Sequence, residues 1–110
     1  MNKAKKERLE AAGWKVGSAR EFLGLSDEES ALIEVKLELG RAVRAERTRR
    51  GMTQAALARE LGSSQSRVAK METGDPSVSL DLLVRSLFRL GASRRDLARY
   101  LSAGVRRRAA

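Results

Sequence analysis

The sequence predicts an all-α fold, and three observations indicate it. Apolar residues recur at helical spacing from residue 26 onward, Ser or Thr residues precede most apolar stretches, and glycines follow most of them. Hydrophobic residues make up 42% of the 110-residue chain and aromatic residues only 4%, so the core must consist mainly of aliphatic side chains. With 34% charged residues, this composition is typical of a small helical domain.

Five helices are predicted. Ser26 with Glu29 fits a capping box and begins a long first helix over about residues 27–50, which Gly51 ends in a left-handed conformation. The four shorter helices begin after Thr53, Ser64, Ser79 and Ser93, and the first three of them end at Gly62, near Gly74 and at Gly91. The predicted organisation is an N-terminal arm (1–25), a helical domain (26–103) and a basic tail (104–110).

The composition excludes several kinds of chemistry. The chain has no cysteine and no histidine, which removes disulfides, zinc sites that rely on these residues, and most nucleophile–base pairs. The carboxylates stand at helix starts, where capping already accounts for them, so we expect no enzymatic activity, metal or cofactor. No apolar run approaches the roughly 20 residues of a membrane span. The sequence therefore predicts a cytoplasmic protein without a membrane partner.

The net charge of +9 is segregated along the chain. Residues 27–40 carry five acids against one base, residues 41–73 carry eight bases against three acids, and residues 93–110 carry six arginines against one acid. Solubility alone could explain a basic balance. A clustered basic face instead favours a polyanionic partner.

The second and third predicted helices have the features of a helix-turn-helix. Ala58 is small where the two helices must cross, and Gly62 permits the positive φ of the turn between them. Placing Val68 inward puts Ser66 and Lys70 on the opposite face of the third helix. An ordinary pair of packed helices is the alternative, but the outward face of Gln, Ser, Arg and Lys differs from an average solvated face.

Residues 41–91 resemble the Cro/CI-type helix-turn-helix of the XRE family. The matching stretches are Arg47, Gly51-Met52-Thr53-Gln54, Leu57-Ala58, Leu61-Gly62, Ser64-Gln65-Ser66-Arg67-Val68, Met71-Glu72 and Gly74. The resemblance implies a lambda-repressor-like five-helix domain that binds double-stranded DNA, with the third helix as the recognition helix.

The resemblance also implies roles for individual residues. Gln54 would brace against a phosphate and the first recognition residue, Gln65, while Ser66 and Arg67 occupy the next two base-reading positions. Gln can bond bidentately to adenine and Arg to guanine. Arginines near helix ends, including Arg49 and Arg59, could clamp phosphates or be simple surface charge. The predicted DNA-binding set is Gln54, Ser64, Gln65, Ser66, Arg67, Lys70, Arg44 and Arg50.

Glu72 lies close to the Val68 side of the third helix and should point inward, where it would need a partner. In the family, the equivalent Glu pairs with an Arg seven residues before the Gln of the second helix, which here is Arg47. A solvated Glu72 is the alternative. If the pair forms, its role is structural, because it fixes the first helix against the third.

Residues 13–40 resemble a narrower XRE subgroup, the HigA-like antitoxins, which are commonly encoded beside RelE/HigB-like toxins. The arm contains the apolar residues Trp14, Val16, Phe22 and Leu23, which either fold back as extra core or cover a second subunit or a toxin. The resemblance implies a homodimeric repressor that binds a palindromic operator and acts as an autoregulatory antitoxin. The alternative is a protein-interaction module whose DNA binding is incidental.

Overall fold

The computed structural model of the protein describes residues 24–109, with side chains from 24 to 103. Within these residues there are five helices and no strand: α1 (Asp27–Arg49), α2 (Gln54–Leu61), α3 (Gln65–Glu72), α4 (Leu80–Arg89) and α5 (Arg94–Ala109). The predicted all-α class with five helices is therefore confirmed. No helix in this part of the chain combines the length and the apolarity needed to cross a membrane.

Side-chain caps begin the helices where the sequence predicted them. The backbone N–H of Ser26 donates to Glu29 at 3.2 Å and that of Glu29 donates to Ser26 Oγ at 3.1 Å, which lowers the pKa of the Glu29 carboxyl. A reciprocal pair between Ser93 and Asp96 begins α5. The side chains of Thr53, Ser64 and Ser79 accept from the backbone N–H three residues ahead. These bonds satisfy amide groups that a helix start leaves unpaired.

Helix α5 extends further than its apolar pattern. The predicted pattern ends at Leu101, which is itself 37% exposed, whereas the helix continues to Ala109. The segment predicted as a basic tail, residues 104–110, is thus helical through Ala109. Arg and Ala have high helix propensity, so a helix can continue there without an apolar face.

The core is aliphatic and involves residues from α1 to α4. Its buried members are Leu39, Ala42, Val43, Leu57, Ala58, Val68, Met71, Val78, Leu83, Leu87 and Leu90. Leu97 and Tyr100 of α5 pack against this cluster. The predicted stripe of α1 is buried only in its later part, since Leu32 and Ile33 are 46% and 38% exposed.

The chain divides into two units, Met1–Leu32 and Ile33–Ala110. The described part of the first unit comprises Gly24, the Ser26 cap and the first turns of α1. The second unit contains the rest of α1, the other four helices and the core. Residues 1–23 of the predicted arm lie outside the described residues.

Two polar contacts join the end of α1 and the later helices. The Tyr100 hydroxyl donates to Glu46 Oε1 at 3.0 Å, and burial together with this bond raises the pKa of Tyr100. The Arg50 guanidinium donates to the backbone carbonyl of Leu90 at the end of α4. Together with the apolar packing, they fix both later helices against α1.

The backbone of α1 lies very close to the backbone at the end of α3. A Cβ added to Gly40 would lie 2.5 Å from the carbonyl oxygen of Met71, and one added to Gly74 would lie 3.0 Å from Leu37 Cα. Gly74 also has a φ of 67°, a conformation that side-chain-bearing residues rarely adopt. Two glycines, one on each side of the contact, therefore allow the backbone of α1 to position α3.

Candidate nucleic-acid interface

The turn between α2 and α3 sets the angle at which α3 leaves the core. Gly62 has a φ of 65°, and the following Ser63 N–H donates to the carbonyl of Ala58 at 2.8 Å. Ala58 is only 4% exposed, so its small side chain lies within the packed contact. Ser64 then caps α3 with a bond to the Arg67 N–H. These features are those of a helix-turn-helix.

Helix α3 has two chemically different faces. Val68 and Met71 are completely buried and Glu72 is 8% exposed. Four residues of α3 are exposed: Ser66 and Lys70 lie opposite Val68, and Gln65 and Arg67 lie at its amino end. The four predicted recognition residues are thus exposed to solvent, and the buried Val68, Met71 and Glu72 attach the helix to the rest of the domain.

Glu72 is buried in a bidentate ion pair with Arg47. Arg47 Nε lies 2.6 Å from Glu72 Oε2 and its Nη2 lies 3.1 Å from Oε1. The two side chains are 12% and 4% exposed, and the pair raises the pKa of Arg47. Arg47 Nη1 also donates to the Met52 carbonyl at 2.8 Å, so one guanidinium joins α1, the following turn and α3.

Gln54 takes part in the same network. Its Nε2 donates to Glu72 Oε1 at 3.1 Å, so each carboxylate oxygen of Glu72 has at least one donor. The brace between Gln54 and Gln65 that the resemblance implies stays a prediction, and the structure places the Gln54 amide nitrogen on Glu72. No sequence signal indicated this bond, because it depends on the distance between the start of α2 and the end of α3.

Four of the predicted residues, Ser64, Ser66, Arg67 and Lys70, line one cavity of about 320 Å³ beside the exposed face of α3. The cavity wall is completed by Val78 and by Ser77, which sequence analysis did not single out. The Ser77 hydroxyl and N–H both donate to Asp75 Oδ1, at 2.6 and 2.9 Å, and these bonds lower the Asp75 pKa. The local Asp-Pro-Ser sequence after Gly74 is the one signal that could have indicated this ordered turn.

The helix-end arginines differ in their contacts within the protein. Arg44 is exposed on α1, whereas the Arg50 guanidinium is engaged by the Leu90 carbonyl. Arg49 pairs with Glu46 at 2.6 Å, which lowers the Glu46 pKa. Arg59 lines a separate cleft between α2 and α4. The bond between Arg50 and Leu90 gives Arg50 a structural role besides its predicted contact with a phosphate.

The candidate partner-binding residues of the arm, Trp14, Val16, Phe22 and Leu23, lie outside the described residues. Their predicted contact with a second subunit or a toxin stays a prediction.

Comparison with known proteins places the motif in a family. The model of a family described as a helix-turn-helix domain matches residues 38–100, which extend from the middle of α1 to Tyr100 in α5. No curated protein and no solved structure matches the chain. Helix-turn-helix domains bind DNA, and they are typically not enzymes.

Proposed function

Since the chain belongs to the helix-turn-helix domain family, we propose that it is a sequence-specific transcriptional repressor of the Cro/CI type. In this proposal α3 enters the major groove of double-stranded DNA with its amino end foremost. One such helix contacts only a few base pairs, so a homodimer with two-fold symmetry binds a palindromic operator.

One observation carries the proposal: the amino end of α3 presents Gln65, Ser66 and Arg67 to solvent while Val68, Met71 and Glu72 are buried. Gln and Arg are the side chains that recognise adenine and guanine through paired hydrogen bonds. Because Glu72 is held by Arg47 and Gln54, the helix that carries these side chains is fixed before DNA arrives. Preorganisation of this kind lowers the cost of binding.

The cavity beside α3 supports a backbone contact in the same orientation. Lys70 and Arg67 supply positive charge to it, and Ser64 and Ser66 supply hydroxyl groups. Side chains of these types commonly hold phosphate oxygens next to the groove. The proposal therefore includes steep salt dependence, because each phosphate contact releases a counterion.

The experiment compares binding to the promoter of the chain's own gene and to a scrambled duplex, by fluorescence anisotropy. Gln65→Ala and Arg67→Ala should each weaken promoter binding by about 1–3 kcal/mol, or roughly 5- to 150-fold, with little change on the scrambled duplex. Arg94→Ala, at the exposed first residue of α5, serves as the control. If the double variant kept the wild-type preference for the promoter, the assignment of α3 as recognition helix would be wrong.

We further propose that the protein is a HigA-like antitoxin that represses its own operon and neutralises a RelE/HigB-like toxin. The support is the resemblance of residues 13–40 to that subgroup and the apolar side chains of the arm. A small basic toxin encoded in the adjacent reading frame should copurify with the wild type and be lost on Trp14→Ala with Phe22→Ala. Copurification that survives both substitutions would contradict the arm's role while leaving the DNA-binding proposal intact. Absence of any specific promoter shift would instead favour a protein-interaction module.

A further inference from the structure

A second cleft lies between α2 and α4, away from the residues proposed to bind bases. It has a volume of about 480 Å³ and opens to solvent between the carboxyl end of α2 and one face of α4. Its apolar lining comes from Leu61, Met71 and Leu82, and its charged lining includes Arg59, Arg85 and Arg89. We call it the α2–α4 cleft. A cleft of this size is in the range of binding pockets and can admit large side chains.

The charge of the α2–α4 cleft is strongly positive. Glu60 is the one acid among its lining residues, and it faces Arg89 at 3.4 Å with both side chains more than half exposed. Within residues 24–103, Arg85 has a single ion-pair contact, a long and exposed one with Asp81 at 3.7 Å. Exposed pairs of this kind contribute little to stability. The arginines can therefore turn toward an incoming carboxylate at small cost.

A buried polar group also lines this cleft without a partner. Ser86 is 1% exposed, and its hydroxyl has no hydrogen-bond partner among the described residues. Native proteins rarely leave such groups unsatisfied. A polar group brought into the cleft could accept a hydrogen bond from it.

The start of α1 has the complementary chemistry. Its first turn carries Asp27, Glu28 and Glu29, and no basic residue occurs between this turn and Lys36. Leu32 and Ile33, one turn further along, are 46% and 38% exposed. Residues four apart lie on the same face of a helix, so Glu28 is beside Leu32 and Glu29 is beside Ile33. We call residues 27–33 the acidic head.

We propose that the acidic head of one copy of this chain docks in the α2–α4 cleft of a second copy. The apolar side chains of the head would contact the lining of Leu61 and Leu82, and the exposed Glu28 carboxylate would pair with an arginine at the rim. This contact accounts for two exposed features at once, an apolar pair flanked by acids and a partly apolar cleft lined by arginines. Complementary charge of this kind steers association and selects the partner.

The contact leaves the proposed DNA-binding face available. Gln65, Ser66, Arg67 and Lys70 do not line the α2–α4 cleft. Copies joined in this way can therefore present their recognition helices to DNA. The proposal does not depend on DNA binding, and its test uses the protein without DNA.

The test is a charge exchange measured by sedimentation velocity on the full chain. Arg85→Glu and Glu28→Arg should each weaken self-association about tenfold, because each places like charges against each other. The double variant should return to within about threefold of the wild type, because the two substitutions act on one contact. Both sites are exposed, so folding should be unaffected, and Arg94→Glu on α5 is the control with the same charge change.

Mixing the two single variants separates contact between copies from contact within one chain. The head with the Glu28→Arg substitution can pair with the cleft that carries Arg85→Glu on the other protein, so the mixture should associate more strongly than either variant alone. Raising the salt from about 0.05 to 0.5 M should weaken wild-type association by screening, whereas Leu32→Ser should weaken it at both concentrations. The proposal would be overturned if Arg85→Glu self-associated as strongly as the wild type. It would also be overturned if neither the double variant nor the mixture recovered self-association.

Discussion

The inner and outer faces of α3 belong to the same eight residues but have opposite physical environments. The inner face, Val68, Met71 and Glu72, is buried and fully engaged by the core or by an ion pair. The outer face, Gln65, Ser66, Arg67 and Lys70, is exposed. Substitutions on the inner face should therefore change the free energy of unfolding, and those on the outer face should change DNA binding. Four substitutions test this separation, from the largest expected effect to the smallest.

The largest effect should come from the apolar inner face. Met71→Ala removes a completely buried side chain and leaves a cavity, which should lower the free energy of unfolding by about 3 kcal/mol. Urea unfolding followed by circular dichroism measures this directly. The adjacent and exposed Lys70→Ala is the matched control, with an expected change within about 0.5 kcal/mol. If the two substitutions lowered the free energy of unfolding equally, the proposed difference between the inner and outer faces would be wrong.

The ion pair should give the next largest effect. Arg47→Ala leaves the Glu72 carboxylate buried with only Gln54 as a side-chain donor, which should cost about 2–3 kcal/mol of unfolding free energy. Arg41, in an exposed pair with Glu38 at 2.7 Å, provides the control. Arg41→Ala should cost no more than about 0.5 kcal/mol. A loss below about 1 kcal/mol for Arg47→Ala would contradict the structural role of the pair.

Gly40→Ala should have an intermediate effect on the free energy of unfolding and should also change DNA binding. The added Cβ would lie 2.5 Å from the Met71 carbonyl oxygen, so α1 and α3 must separate. Overpacking of about 1–3 kcal/mol is offset by about 1 kcal/mol of gained helix propensity. We expect a small net loss of stability together with weaker promoter binding, measured by urea unfolding and anisotropy. Unchanged promoter affinity would show that α3 tolerates the shift.

Lys70→Ala should have the smallest effect on folding and a specific effect on binding. Loss of one phosphate contact should reduce the slope of log K against log salt by about 0.9, with similar weakening on promoter and scrambled DNA. Anisotropy titrations at several salt concentrations give the slope. A change confined to the promoter would identify Lys70 as a base contact instead.

Local chemistry explains which parts of the fold could be predicted. The caps at Thr53, Ser64 and Ser79 and the left-handed glycines depend on a few neighbouring residues, so the sequence alone specifies them. The two faces of α3 follow from helical periodicity once Val68 is placed inward.

What could not be predicted depends on distances between helices. The carbonyl of Leu90 that receives Arg50 is forty residues away in sequence. The Ser77 wall of the cavity and the bond from Gln54 to Glu72 likewise require the helices to be in place. The exposure of Leu32 and Ile33 could not be predicted from apolar periodicity. Periodicity indicates which residues lie on the same face of a helix, but it does not indicate how much of the helix length the core covers.

The contact at Gly40 has a consequence for transplanting this motif into other proteins. Helices α2 and α3 alone contain the turn and the exposed side chains, but the surface that fixes the inclination of α3 belongs to α1. Arg47 and Gly40 both lie before the helix-turn-helix and both touch its last residues. The smallest segment that carries its own geometry therefore begins ahead of Gly40 and ends after Gly74. A graft limited to residues 53–72 would transfer the exposed side chains of α3 without the contacts that fix the orientation of α3.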